Sequence, residues 1–165
     1  MNIIDPVLAE FAHEAAVTRR VLERVPEEHF GWKPHEKSMT LGHLATHVAE
    51  IPGWVNLIIE QDEVDFDAEN YEPPLADGPA ELLKMYDANV QTVSDTLKGL
   101  TDDRLMAMWR FKMGGQVRIE MPRVGVIRGF LLNHTYHHRG QLTVYLRLLG
   151  VPVPSVYGPS ADEQG

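Results

Sequence analysis

His134 and His138 stand four positions apart in the stretch Asn133-His134-Thr135-Tyr136-His137-His138-Arg139-Gly140-Gln141, which holds three of the chain's eight histidines. On a helix of about 3.6 residues per turn, residues at that spacing stack one above the other, roughly 40° apart around the axis. Two imidazoles so placed can reach one divalent metal ion without distorting the backbone. The same spacing also serves a helix with surface histidines, or a core histidine satisfied by hydrogen bonds. A third ligand from elsewhere in the chain separates these readings.

His43 and His47 form a second pair with the same spacing. Leu44, Val48, Ile51, Val55, Ile58 and Ile59 mark the buried side of a helix predicted from a Thr40 cap to about Gln61, with Trp54 beside them. His47 lies near the middle of that stripe. An unpaired polar group there costs about 1–3 kcal/mol, so the ring needs a partner, and a metal ion is one such partner. His13 falls off the stripe of its own helix and reads as a surface residue. His29 and His35 lie in a polar connection punctuated by Pro and Gly, where histidines are usually solvated.

The elements that must position these rings follow from apolar periodicity. Asp5-Pro6 reads as a helix start, and Val7, Leu8, Phe11, Ala15, Val21, Leu22 and Val25 carry that helix up to Pro26. Pro52 predicts a kink or a missing hydrogen bond in the second helix. The acidic stretch 62–78 reads as an exposed loop, and a third helix runs from about Pro79 to Lys98, ended by Gly99. A short turn or one-turn helix beginning at Thr101–Arg104 precedes alternating residues on either side of Gly114-Gly115, the pattern of a small β-hairpin.

Pro122 opens the last helix, which continues through Ile127, Leu131, His134, His138, Gln141 and Tyr145 to Leu149, with Gly150 and Pro152 stopping it. His134 and His138 continue the line of Ile127 and Leu131 and so point toward the core, whereas His137 falls about 60° off it. The C-terminal Pro-rich residues read as a tail that loosens toward its end.

Four long stripes predict an all-α four-helix bundle with a small β-hairpin before the last helix, in a single domain spanning 1–165. Such bundles build metal sites from inward side chains on facing helices. His47 with His134 and His138 supplies three nitrogen ligands, and three histidines plus an open position describe a catalytic rather than a structural zinc site. Imidazole also suits nickel, copper and iron.

At 165 residues the chain suits one domain that buries roughly 70% of its unfolded surface. No apolar run nears the roughly 18 residues of a membrane span, and the N-terminus lacks the pattern of a signal peptide, which makes the cytoplasm the expected location. With no cysteine, disulfides, thiolate ligands and a protein thiol nucleophile are all excluded. The net charge of −9 argues against nucleic acid as a partner.

Three segments, Thr-Leu-Gly-His-Leu-Ala-Thr-His-Val-Ala (40–49), Asn-His-Thr-Tyr-His-His-Arg-Gly-Gln-Leu (133–142) and Tyr-Gly-Pro-Ser-Ala-Asp-Glu (157–163), resemble the DinB-like (DinB/YfiT) family of metal-binding proteins. The resemblance covers nearly the whole chain. It implies an antiparallel bundle, a homodimer, and a divalent metal, zinc or nickel, on His47, His134 and His138. Position 43 often carries an acidic residue in relatives, so His43 is a departure that either approaches the metal or lines the pocket.

Proteins similar to this one include S-transferases and isomerases in which the metal activates a low-molecular-weight thiol. The expected function is therefore a metal-dependent transferase using such a thiol on a small molecule. The alternatives are a metal-dependent hydrolase and a non-catalytic, metal-stabilised dimer of the stress response. Arg139 adjoins the site and either orients an anionic group or pairs with a carboxylate. Gln141 either hydrogen-bonds a ligand histidine or packs in the core, and Trp54, Tyr136 and Tyr145 read as core or pocket wall.

Overall fold

The structure is a computed structural model that describes residues 2–67 and 70–164. Helix α1 spans Ile4–Leu22 and buries Val7, Phe11, Ala15, Val21 and Leu22 along one face. Asp5 lies inside the helix and does not cap it. Its carboxylate accepts from the Asn2 N–H at 2.8 Å, while the Ile3 N–H is met from across the molecule by Asp102 at 2.9 Å. The helix ends at Leu22, before the expected limit at Pro26, although Val25 remains buried.

Helix α2 spans Leu41–Glu50, and the Thr40 hydroxyl caps it by accepting from the His43 N–H at 3.2 Å. The predicted break at Pro52 takes the form of a 3₁₀ turn over Ile51–Trp54, followed by α3 at Val55–Glu60. Proline has no N–H to donate and its ring clashes with the carbonyl four residues back, so the helix tightens there instead of continuing.

The stretch 62–78 is not wholly an exposed loop. Glu63–Phe66 forms strand β1, with Val64 and Phe66 turned inward and Glu63 and Asp65 outward. Strands β2 (Met108–Met113) and β3 (Gln116–Pro122) make the expected hairpin, turning at Gly114 and Gly115 with φ of 58° and 76°. Both glycines thus occupy the left-handed region that a two-residue hairpin turn demands. β1 pairs parallel to β2, so the hairpin becomes a three-stranded sheet in the order β1-β2-β3.

Helix α4 (Pro79–Leu97) matches its predicted limits, and a short α5 (Asp102–Met106) is capped by Thr101. The last helical stretch is not uniform. After α6 (Arg123–Val126) it widens into a π-helical segment at Ile127–Asn133, then resumes as α7 at His134–Leu148. Segments of this kind occur often at functional sites, and this one ends at the first site histidine.

α1 packs against α4 and α7, and α2 packs against the same two helices. The fold is mostly helical with a small three-stranded sheet. The four long predicted helices are met in part, because Pro52 splits the second; the one-turn alternative at Thr101 is realised as α5. Among the described residues no helix is long and apolar enough to cross a membrane.

Arg123 ties the end of α3 to the sheet. Its side chain is fully buried and donates to the carbonyls of Ile58 (2.9 Å), Gln61 (2.9 Å) and Met108 (3.1 Å), and also pairs with Asp62. The carbonyls at a helix C-terminus have no partner within the helix, and a guanidinium can satisfy several of them at once. Arg123→Met removes every one of these donors, and the expected loss is about 3 kcal/mol in urea unfolding. A loss below about 1 kcal/mol would contradict this role.

The C-terminal tail is held along its length. Asp162 accepts from the Val153 N–H at 2.9 Å and pairs with Arg147, while Glu163 accepts from the Ser155 N–H at 3.0 Å and pairs with Arg20 and Arg24. These contacts, invisible to composition, tie the tail to α1 and α7 as far as Glu163.

Candidate metal centre

His47 extends from the last turn of α2, and His134 and His138 from the first two turns of α7. The ring centres of His47 and His138 are 4.5 Å apart, those of His134 and His138 4.6 Å, and those of His47 and His134 5.0 Å. One ring nitrogen from each lies within 4.8 Å of the others. The Nε2 atoms of His47 and His134 are 3.2 Å apart. Two nitrogens bound at about 2.0–2.1 Å to one tetrahedral ion would be roughly 3.3–3.4 Å apart, so this pair is already spaced as neighbouring ligands are.

The donor chemistry also fits. Burial, reinforced by the neighbouring His138, His47 and His137 rings, pushes the His134 imidazole down to about 4. Burial likewise lowers His138, against the hydrogen bond to Gln141, which works to raise it. Both rings are therefore neutral near pH 7, and a neutral imidazole keeps a lone pair for a metal. Gln141 faces His138 with its amide oxygen 2.8 Å from Nδ1. In that arrangement Nδ1 donates and Nε2 carries the free lone pair, the role that partners of metal-binding histidines commonly play.

Glu50 was not foreseen. It lies one turn beyond His47, with Oε2 3.7 Å from His47 Nδ1. That distance is an electrostatic contact rather than a hydrogen bond, and it leaves Oε2 buried with no hydrogen-bond partner among the described residues. The other oxygen accepts from Trp54 Nε1 at 3.2 Å and from the Tyr71 hydroxyl at 2.9 Å. Burial alone would raise the Glu50 carboxyl, but His47, Tyr71 and Trp54 together outweigh it and hold it below the usual carboxylate value. The spacing of three residues from His47 was a readable signal, whereas nothing in the sequence marked Tyr71.

Other expected participants lie elsewhere. His43 turns back to the helix cap, its Nδ1 3.0 Å from the Thr40 hydroxyl, and is not part of the three-ring cluster. Arg139 follows His138 in sequence but points to the other side of α7. There it pairs with Glu14 at 2.7 Å and donates to Thr18 at 3.0 Å and to the Tyr157 hydroxyl at 2.7 Å. Tyr136 and Tyr145 pack against the core, the first of their two expected roles, with their hydroxyls donating to Glu10 and to the Met39 carbonyl. His137 is exposed, with its ring against His138. His13 and His35 are exposed and His29 is half-buried.

A pocket of about 530 Å³ opens beside the histidines. His47, Glu50, Trp54 and His134 line it together with Tyr71 and the aromatic side chains of the sheet and the π-helical segment. Phe111 is central to that wall, 6.1 Å from Phe66, 6.4 Å from Trp109 and 5.7 Å from Phe130 between ring centres. β1, missed in the sequence, is what brings Val64 and Phe66 to it.

Known proteins resemble this chain in sequence or in fold. The uncharacterized protein YrdA of Bacillus subtilis strain 168 is 28% identical over 160 residues, covering 97% of this chain and 91% of that protein. A DinB-like protein from Bacillus cereus ATCC 10987 superimposes with a TM-score of 0.70 at 24% identity, covering 91% of this chain and 95% of that one. The DinB-like protein YjoA of Bacillus subtilis gives a TM-score of 0.67 at 20% identity, covering 92% and 97%. The family model described as the DinB family matches residues 2–164, and the chain belongs to that family.

Proposed function

We propose that this protein is a metal-dependent enzyme in which His47, His134 and His138 hold one divalent ion, zinc or nickel, and that it transfers a low-molecular-weight thiol to a small molecule. The observation that carries this reading is the convergence of three imidazoles, two of which, His47 and His134, have Nε2 atoms 3.2 Å apart and line an apolar pocket. We read the mutual packing of α1, α2, α4 and α7 as the four-helix bundle that supports them.

A divalent ion with an open position lowers the pKa of a thiol or water that reaches it and supplies a nucleophile near neutral pH. The rest is done by the chain. Gln141 holds the Nδ1 proton of His138 and sets that ring's orientation. Glu50 faces Nδ1 of His47, and Trp54 and Tyr71 fix the carboxylate in turn. The aromatic wall keeps water away from the reacting groups, which strengthens every electrostatic contact inside. The chain has no cysteine of its own, so the thiol arrives on a small molecule.

The test is turnover by zinc- or nickel-loaded protein with a panel of low-molecular-weight thiols and chromogenic aromatic electrophiles. The expected result is thiol-dependent product formation that falls at least 100-fold in His134→Ala. Product formed with water alone would make the protein a hydrolase. A metal that stabilises the fold without any turnover would make the site structural.

A further inference from the structure

The pocket beside the histidines has a composition that selects what enters it. Six of its lining side chains are the rings of Trp54, Phe66, Tyr71, Trp109, Phe111 and Phe130, and Leu57, Ile58 and Val64 supply aliphatic surface. Among the described residues no lysine or arginine lines it, and the one carboxylate there is Glu50. The cations nearest in sequence, on β2, are spent elsewhere: Lys112 pairs with Glu63, and Arg110 pairs with Glu63 and Glu120. With no ion on the histidines, an anionic group deep in this pocket would face a carboxylate with no counter-charge.

The polar groups are gathered in one place, because Glu50 contacts His47, Trp54 and Tyr71 directly. One further polar atom stands apart. The indole N–H of Trp109 has no acceptor among the described residues, but it is buried beyond the reach of solvent and so offers the pocket no donor. The volume of about 530 Å³ falls within the range of pockets that enclose small organic ligands.

We propose that this pocket binds a neutral, ring-bearing small molecule, and that such a compound is the substrate presented to the histidine centre. Its ring lies against the Phe66, Phe111 and Phe130 wall, where offset and edge-on aromatic contacts are available. The role as substrate rests on the reading of the centre as catalytic; the binding selectivity does not.

Calorimetric titration of the metal-free full-length protein with 2-naphthol and with 2-naphthoate at pH 7 tests the selectivity with two bicyclic probes of similar size and different charge. The expected result is saturable 2-naphthol binding at one site per chain, with 2-naphthoate at least tenfold weaker. Leu57→Asp, at a position that is 42% exposed and tolerant of charge, and Val64→Asp should each weaken 2-naphthol at least tenfold. Leu148→Asp, on the exposed far part of α7, should leave it unchanged. Equal binding of the two probes, absence of 2-naphthol binding, or pocket variants within twofold of the parent would overturn the proposal. Zinc stoichiometry measured on the same protein separates the two readings: one ion per chain without 2-naphthol binding removes only the pocket assignment, and 2-naphthol binding without zinc removes only the metal centre.

Discussion

Zinc or nickel at a hundredfold excess over its dissociation constant is expected to raise the melting temperature of the chelated protein by roughly 5–10 °C. A ligand that binds only the folded state at that excess adds about 2.7 kcal/mol, and each kcal/mol moves the midpoint by about 2–4 °C in a domain of this size. The three nitrogens come from α2 and α7, so the ion links two helices far apart in sequence and the unfolded chain has no equivalent site. His134→Ala removes the ring that lies 3.2 Å from His47, and with it the shift; occupancy by elemental analysis should fall from one ion per chain to less than about half. Gln141→Leu is the more discriminating variant. Gln141 is exposed and its one described contact at the site is with His138 Nδ1, so the fold should hold while chelator competition shows affinity about 10–100-fold weaker. Unchanged occupancy in His134→Ala would rule out the centre.

Arg139→Met is expected to destabilise the protein by about 3–5 kcal/mol, because it leaves the Glu14 carboxylate buried without its cation. Arg139 and Glu14 are 2% and 6% exposed, and their atoms meet at 2.7 Å. The same guanidinium donates to Thr18 and to the Tyr157 hydroxyl, and Tyr157 in turn donates to Glu14 at 2.9 Å, so the pair also clasps the tail to α1. Urea unfolding of the single variant and of Glu14→Leu/Arg139→Met separates the cost of an orphaned charge from the worth of the pair. Most of the loss should return in the double variant, since an apolar replacement of both partners leaves no charge buried without its counter-ion. A single variant within about 1 kcal/mol of the parent would show that the buried pair carries no such weight.

Much of the frame was legible in local spacing. The Thr40 cap, the break at Pro52, the Gly114-Gly115 turn and the limits of α4 each rest on interactions within a few residues. β1 was hidden because its only two inward residues, Val64 and Phe66, sit in an acidic run and gain their partner from β2, more than forty positions away. The π-helical segment was equally silent, since its apolar residues keep a spacing that an ordinary helix also satisfies.

For the histidine centre the division is similar. His134 and His138 could be paired from their four-residue spacing, and His47 could be placed on a buried face, because helical periodicity alone settles which side chains share a stripe. Whether three rings on two helices converge is decided by how α2 and α7 pack, and so is the direction taken by Arg139, whose partner lies 125 positions earlier on α1. Glu50 could be located one turn from His47, but its anchoring by Tyr71 depends on the path of the chain between β1 and α4. The stacked imidazoles of Asn133–Gln141 are a property of one helix; their third nitrogen, their aromatic pocket and the turning away of Arg139 are properties of the fold, because each depends on residues that only packing brings within a few ångströms.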